Sequence, residues 1–74
     1  MRIHVVILTS EIKSFTLDVT ENDTVHTVKE KIHDQEEIPA HQQRLLFDGI
    51  PLKDDDMLKD YNVQEQDKIF LYKM

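Results

Sequence analysis

Apolar and polar residues alternate along several short stretches of the chain, which is the pattern of β-strands that bury one face. These stretches are residues 1–8, 14–20, 44–47 and 68–73. A short polar segment joins the first two stretches and predicts a β-hairpin. Asp48 and Gly49 predict a tight turn after the third stretch. Pro51 marks residues 50–52 as a short edge strand, because proline cannot donate to a sheet ladder.

One segment instead carries its apolar residues at the spacing of a helix. Val25, Val28 and Ile32 recur at i, i+3 and i+7, and Thr24 precedes them as a natural N-cap. The pattern predicts a helix that begins at Val25 and ends near Glu36. Its solvent-facing side is predicted to carry Lys29, Glu30, Lys31 and Asp34.

The predicted end of this helix lacks the residue that usually terminates one. Pro39 prevents the helix from continuing, and no glycine stands at the C′ position. Glu37 must therefore occupy that position, and we expect its backbone to be left-handed.

The order of elements is hairpin, helix, strand, short strand and strand, which predicts an α+β fold in one domain, residues 1–74. A single helix can cover one face of a four- or five-stranded sheet. The apolar residues predicted to lie between the helix and the sheet form the predicted core: Ile3, Val5, Phe15, Leu17, Val19, Val25, Val28, Ile32, Leu45, Leu52, Leu58, Tyr61, Ile69 and Leu71.

The opposite face of the sheet carries apolar residues where polar ones are expected. If Leu45 faces the helix, Leu46 faces solvent, and the same reasoning turns Phe70 and Tyr72 outward. A contiguous apolar patch on a small protein usually marks a site for a partner. The predicted patch contains Val6, Leu46, Phe70 and Tyr72, with Leu8 and Ile50 at its rim.

The charge of the chain excludes several classes of partner. Nine basic and fifteen acidic residues give a formal net charge of −6. Nucleic acids and anionic membranes both require cationic surfaces, so we expect neither as a partner. The sequence contains no cysteine, no apolar run that could span a membrane and no signal-peptide core. A cytoplasmic or nuclear location is therefore expected.

No constellation of residues predicts catalysis or a cofactor. The chain has no thiol and no serine-centred nucleophile motif. Glu30 and His33 share one helix face, but two side chains are too few for a metal site, and we interpret them as solvated. The run of residues 54–56 lacks the spacing of a calcium loop and is interpreted as a solvated acidic loop. We predict no catalytic residue, no metal and no cofactor.

The sequence resembles ubiquitin over nearly its whole length, from Met1 to Lys73, with two extra residues in the first hairpin loop. Nearly half of the aligned positions are identical. The matching strings are Met1-x-Ile3-x-Val5, Leu8-Thr9, Asp23-Thr24, Val28-Lys29, Lys31-Ile32, Ile38-Pro39, Gln42-Gln43-Arg44-Leu45, Phe47, Gly49 and Leu58-x-Asp60-Tyr61-Asn62-x-Gln64.

The resemblance implies a β-grasp fold and a function in binding rather than in catalysis. Leu8, Leu46 and Tyr72 correspond to the leucine, isoleucine and valine of ubiquitin's hydrophobic patch, and Phe70 replaces its histidine. The patch is larger and more aromatic than is usual in the family. Together with the alternation, the resemblance predicts these partner-binding residues: Val6, Leu8, Arg44, Leu46, Gly49, Ile50, Phe70 and Tyr72.

The resemblance stops short of ubiquitin's flexible diglycine tail, since the sequence ends at Met74. We therefore expect an integral domain, at the N-terminus of a larger protein, that docks it to ubiquitin receptors such as those of the proteasome. The alternative is a conjugatable modifier whose diglycine tail is missing from this sequence. We expect a monomer, in which the enlarged patch permits weak self-association.

Overall fold

The computed structural model describes all 74 residues as a five-stranded sheet with one main helix across it. The elements are β1 (Arg2–Ile7), β2 (Lys13–Asp18), α1 (Val25–Glu36), β3 (Gln43–Phe47), β4 (Ile50–Pro51) and β5 (Lys68–Lys73), with short 3₁₀ helices at Ala40–Gln42 and Leu58–Tyr61. The strand order is β2-β1-β5-β3-β4, and only β1 and β5 run parallel. This arrangement is the predicted α+β ubiquitin-like β-grasp.

The core lies between α1 and the sheet, and the predicted alternation determines most of it. Twelve of the fourteen predicted core residues are buried. Phe15 is only half-buried, because β2 is an edge strand and neighbours cover it from one side. Four apolar residues were missing from the prediction although they are buried: Ile7, Ile38, Phe47 and Val63.

Tyr61 is the other predicted core residue that is only half-buried. Its ring packs against the core, while its hydroxyl donates a hydrogen bond of 2.6 Å to the Asp56 carboxylate and accepts one of 3.0 Å from the Lys53 backbone N–H. The hydrogen bond to Asp56 raises the pKa of Tyr61 above its ordinary value. The polar end of the side chain therefore holds this residue at the surface.

Helix α1 has the predicted bounds and cap. The Thr24 hydroxyl accepts a hydrogen bond of 3.1 Å from the Thr27 backbone N–H, which satisfies one of the free donors in the first turn. The prediction that Lys29 lies on the solvent side is wrong, because its aliphatic stem is buried and its ammonium lies 2.7 Å from Asp54 Oδ1. A lysine can bury its stem in this way while its charged end reaches a carboxylate.

The acidic loop after β4 is also more than a solvated run of charges. Besides the ion pair of Asp54, two of its carbonyl groups accept hydrogen bonds from the start of α1. The Val25 N–H reaches Asp56 O at 2.8 Å, and the His26 N–H reaches Asp54 O at 3.1 Å. The loop therefore helps to cap the helix N-terminus, a role that its composition did not reveal.

The strand ends differ from the prediction by one or two residues, as element ends commonly do. At β3 the difference is informative, since the strand begins at Gln43, which is 2% exposed. The Gln43 side-chain amide donates hydrogen bonds to Lys29 O at 2.9 Å and to Ile38 O at 2.8 Å. It ties α1 to the segment that follows it.

No helix of the structure has the length and apolar character that crossing a membrane requires.

Glu37 ends α1 with the expected left-handed backbone, at φ 59° and ψ 31°. Its N–H donates a hydrogen bond of 2.8 Å to His33 O. A side chain with a Cβ is unfavourable in this conformation, and a carboxylate beside the negative end of a helix is unfavourable as well.

Glu37→Gly is therefore expected to stabilise the fold by a few tenths to about 1 kcal/mol, since relief of strain slightly exceeds the added entropy of the unfolded glycine. Urea unfolding measures the change. Glu37→Gln is the control, because it removes the charge and keeps the Cβ, and its benefit should disappear at high salt. A glycine variant that is less stable at every salt concentration would contradict this account of the helix end.

The Asp23 carboxylate lies at the junction between β2 and α1. Burial by itself raises the pKa of Asp23, but hydrogen bonds from the Thr20 N–H at 3.0 Å and from Lys31 Nζ at 3.0 Å outweigh burial and hold the pKa below its ordinary value. A carboxylate with a lowered folded-state pKa stabilises the fold above its unfolded-state pKa of about 3.9, and this contribution is lost as the pH falls through the folded-state value.

Asp23→Asn is therefore expected to lower the unfolding free energy at neutral pH and to make its decline below about pH 4 less steep. Denaturant unfolding at a series of pH values measures both effects. Asp34→Asn is the control for the loss of one charge, since Asp34 forms no ion pair. An equally steep acid decline in wild type and Asp23→Asn would contradict the prediction.

Candidate protein-binding face

The sheet face opposite α1 presents a row of apolar side chains across its central strands. Strand register places Val6 beside Phe70, and Phe70 beside Leu46. Paired residues point to the same face of a sheet, so the three side chains lie abreast. Val6 and Leu46 are half-buried, whereas Phe70 is 38% exposed. The row therefore offers apolar surface to solvent at the centre of the sheet.

A second row lies beside the first, toward the end of β5. Tyr72 pairs with Arg44, and the Leu8 N–H donates a hydrogen bond of 2.9 Å to Leu71 O, which keeps Leu8 next to β5. Tyr72 is 47% exposed. Five residues of the two rows and the β3–β4 turn line a shallow depression of about 330 Å³. In place of the wider predicted patch, we call these five residues the patch from here on: Leu8, Leu46, Gly49, Phe70 and Tyr72.

Gly49 contributes backbone rather than a side chain to the patch. It has φ 76° and follows Asp48, which has φ 53°. Two successive residues with positive φ suit the tight turn between β3 and β4, and glycine adopts this conformation without strain. A Cβ at this position would meet no atom within 4 Å. The backbone conformation, and not a lack of room for a side chain, therefore favours glycine here.

Three other predicted partner-binding residues border the patch without lining its depression. Val6 lies beside Phe70, and Arg44 lies beside Tyr72. Ile50 is 53% exposed and pairs with Phe47, while Pro51 is the residue opposite Leu46. Ile50 was predicted at the rim of the patch; the register places it at the sheet edge, one position away from the row of Leu46 and outside the depression.

Two cations without an ion pair lie beside the patch, although the chain as a whole is acidic and the carboxylates Asp48 and Asp67 lie near Gly49 and Phe70. Arg44 and Lys68 are exposed, lie on the outward face by register, and form no ion pair. On the same face, Arg2 pairs with Asp18 at 3.1 Å. Positive charge that has no ion-pair partner beside an apolar surface favours a binding partner with carboxylates at matching positions.

The two larger depressions of the surface are lined mainly by polar and charged residues. One of about 600 Å³ contains His26, His33 and His41, with His26 3.5 Å from Glu30. No group of three or more histidine, aspartate or glutamate side chains converges there, or elsewhere, as a metal site requires. The other, of about 570 Å³, lies on the far side of Phe70 and includes Asp67. The patch is the depression with predominantly apolar walls.

The sequence interpretation did not include Ile12, which precedes β2 and is 75% exposed. Ile12 lies between the two alternating stretches, so neither strand pattern predicted that its side chain is exposed. An isolated exposed isoleucine requires no explanation.

Comparison with known proteins agrees with this geometry. The sequence model of the ubiquitin family matches residues 3–73. Ubiquitin-like protein 4A of Danio rerio is 44% identical over 59 residues, which cover 80% of this chain and 38% of that protein. Its counterpart in Rattus norvegicus is 41% identical over 56 residues, which cover 76% of this chain and 36% of that protein. The chain thus spans well under half the length of these relatives, and it belongs to the ubiquitin family.

Proposed function

We propose that this domain is a non-catalytic docking module of a larger protein, and that it binds ubiquitin-binding modules, among them proteasomal receptors, through the patch. The observation that carries the proposal is the apolar depression on the solvent face of the sheet, lined by Leu8, Leu46, Phe70 and Tyr72. Leu46, Phe70 and Tyr72 stand on paired strands, and a backbone hydrogen bond holds Leu8 beside β5, so the surface exists before a partner arrives and binding requires little ordering.

Support for an integral domain comes from the length of the relatives. The matched segment is 38% of ubiquitin-like protein 4A of Danio rerio, so a domain of this kind occurs within a longer chain. We propose the same setting here, in the cytoplasm or nucleus. The full open reading frame tests it. Several hundred further residues would support the docking module, and a diglycine soon after Met74 would favour the conjugatable modifier instead.

The chemistry of the patch supports binding rather than catalysis. Its walls carry aliphatic and aromatic groups, and the charged residues Arg44 and Lys68 lie at its border by strand register. An apolar centre with charges at its border is the usual composition of a protein interface. Aromatic residues such as Phe70 and Tyr72 supply large contact areas at low entropic cost.

Nuclear magnetic resonance titration tests the proposal directly. The ¹⁵N-labelled domain is titrated with a panel of purified ubiquitin-binding modules, and the shifted amides are mapped onto the structure. We expect shifts at Leu8, Leu46, Phe70 and Tyr72. The solvent side of α1, for example Asp34, serves as the internal control because it lies across the domain from the patch. Absence of binding, or shifts confined to α1, would overturn the proposal.

A further inference from the structure

The turn between β3 and β4 contains the single glycine of the sequence, and an aspartate, Asp48, directly precedes it. Every other aspartate of the chain is followed by a residue with a Cβ. A Cβ hinders the approach of a peptide nitrogen to the preceding side chain, and Gly49 has none. Asp48 is thus the aspartate whose carboxyl carbon is most open to attack by the next peptide nitrogen.

Neither of these two groups is held by another contact. The Asp48 carboxylate forms no ion pair, and neither it nor the Gly49 N–H takes part in a hydrogen bond. By contrast, the carboxylates of Asp23 and Asp67 accept hydrogen bonds from backbone N–H groups at 3.0 and 2.8 Å. Asp48 and Gly49 are also both exposed, so water reaches the peptide between them.

Few contacts hold the turn on its β4 side. Strand β4 has only two residues, and one of them, Pro51, has no N–H to donate. The next backbone hydrogen bond runs from the Leu52 N–H to Leu45 O at 2.9 Å, between two buried residues. The tip of the hairpin can therefore open while the core stays closed. In the open turn, rotation of the main chain brings the Gly49 nitrogen to the Asp48 carboxyl carbon.

We propose that the Asp48–Gly49 peptide is a modification site, at which the aspartate isomerises to isoaspartate without an enzyme. The Gly49 nitrogen attacks the protonated carboxyl group of Asp48. A C–N bond forms, a C–O bond breaks, and the hydroxyl group leaves with the N–H proton as water. The product is a five-membered succinimide ring.

Water then opens the ring and completes the isomerisation. It adds a hydroxyl group to the main-chain carbonyl carbon of Asp48 and returns a proton to the Gly49 nitrogen, while the bond between these two atoms breaks. The chain now runs through the former side chain of Asp48, and the former main-chain carbonyl is a free carboxylate. One water is released and one is consumed, so the mass of the protein does not change.

The product alters the turn beside the patch. Isoaspartate adds one main-chain carbon between Phe47 and Gly49, and the two-residue turn that joins the paired Phe47 and Ile50 has no spare length. Gly49 lines the patch together with Leu46. The modification itself is independent of the proposed function, whereas its effect on partner binding rests on that function. We expect the isoaspartate form to bind partners more weakly.

Incubation of the domain for several weeks in mildly acidic buffer at body temperature tests the site. Peptide mapping detects isoaspartate as a fragment of unchanged mass and altered retention, and an isoaspartate methyltransferase with labelled S-adenosylmethionine counts it. We expect position 48 to convert at least about tenfold faster than any other aspartate, because only Gly49 lacks a Cβ. Asp48→Glu is the matched control. It keeps the charge, cannot form the five-membered ring and should stay unmodified. Thermal melts establish that it is folded.

A synthetic peptide of residues 45–53 separates the contribution of the structure from that of the sequence. The peptide gives the rate of conversion in an unrestrained chain. We expect the folded domain to convert within about tenfold of that rate, because the turn opens locally. A folded domain that stays unmodified while the peptide converts would overturn the proposal, since the hairpin would then protect the site.

Binding measurements on the isoaspartate form, separated by chromatography, test its effect on the patch. We expect it to bind the tightest-binding module of the panel at least about fivefold more weakly than the unmodified domain. Equal affinity of the two forms would overturn the link between the modification and the patch. If no module binds either form, the proposed function fails, whereas the isoaspartate measurement uses no partner and still decides whether position 48 is modified.

Discussion

Replacement of Leu45 by alanine is expected to lower the unfolding free energy by about 2–5 kcal/mol. Leu45 is 1% exposed and belongs to the cluster between α1 and the sheet. Its removal loses the free energy of burial and leaves a cavity that the surrounding strands cannot fill completely. Since a core of this size supplies only about 3–5 kcal/mol, this loss is a large fraction of the whole stability of the domain.

Circular dichroism with urea titration measures this effect, and the adjacent residue supplies the control. Leu46 is the same amino acid on the same strand, but it points to the opposite face of the sheet and is only half-buried. Leu46→Ala should therefore change stability by about 1 kcal/mol or less. Equal losses of stability in the two variants would contradict the register, which places Leu45 in the core and Leu46 on the opposite face.

Leu46→Ala is instead expected to weaken partner binding by about 2 kcal/mol or more, which is about thirtyfold in the dissociation constant. Leu46 lies in the patch beside Phe70, with the β3–β4 turn next to it. Central apolar residues that a partner desolvates completely usually contribute most of the binding free energy. Isothermal titration with the tightest-binding module of the panel measures the change.

Ile50→Ala is the matched control for this second prediction. Ile50 is an apolar residue that is 53% exposed, but it lies at the sheet edge outside the depression. We expect it to weaken binding much less than Leu46→Ala does. Equal losses from the two substitutions would place the centre of the interface at the edge rather than at the patch, and an unchanged affinity in Leu46→Ala would remove the patch from the interface.

Two aromatic residues supply much of the exposed surface of the patch. Phe70 and Tyr72 are 38% and 47% exposed, so both rings remain accessible to a partner. Rings of this size favour partners that offer aliphatic or aromatic side chains of their own. The cation Arg44 beside Tyr72 adds a preference for carboxylates. Under the proposed function, selectivity among ubiquitin-binding modules should therefore depend on these three residues.

The sequence alone determined the fold class, the helix and the direction of most strand side chains. Local patterns decided these features: the alternation along β1, β3 and β5, and the helical spacing of Val25, Val28 and Ile32. Residues near one another in the chain share a face of a strand or helix at these spacings, so the sequence is enough to predict that face. The left-handed backbone of Glu37 was predictable for the same reason, since the absence of glycine and the presence of Pro39 are local facts.

Tertiary structure decided what distant segments do to one another. Lys29 is buried because Asp54 is brought to it from a loop 25 residues away, and Gln43 is buried because α1 and the segment after it present carbonyl groups. Local periodicity contains no information about such partners. The row of Val6, Phe70 and Leu46 is likewise a property of strand order, which places β5 between β1 and β3. A face composed of three strands becomes visible only when the register of every pair is known, because each strand contributes one position to it.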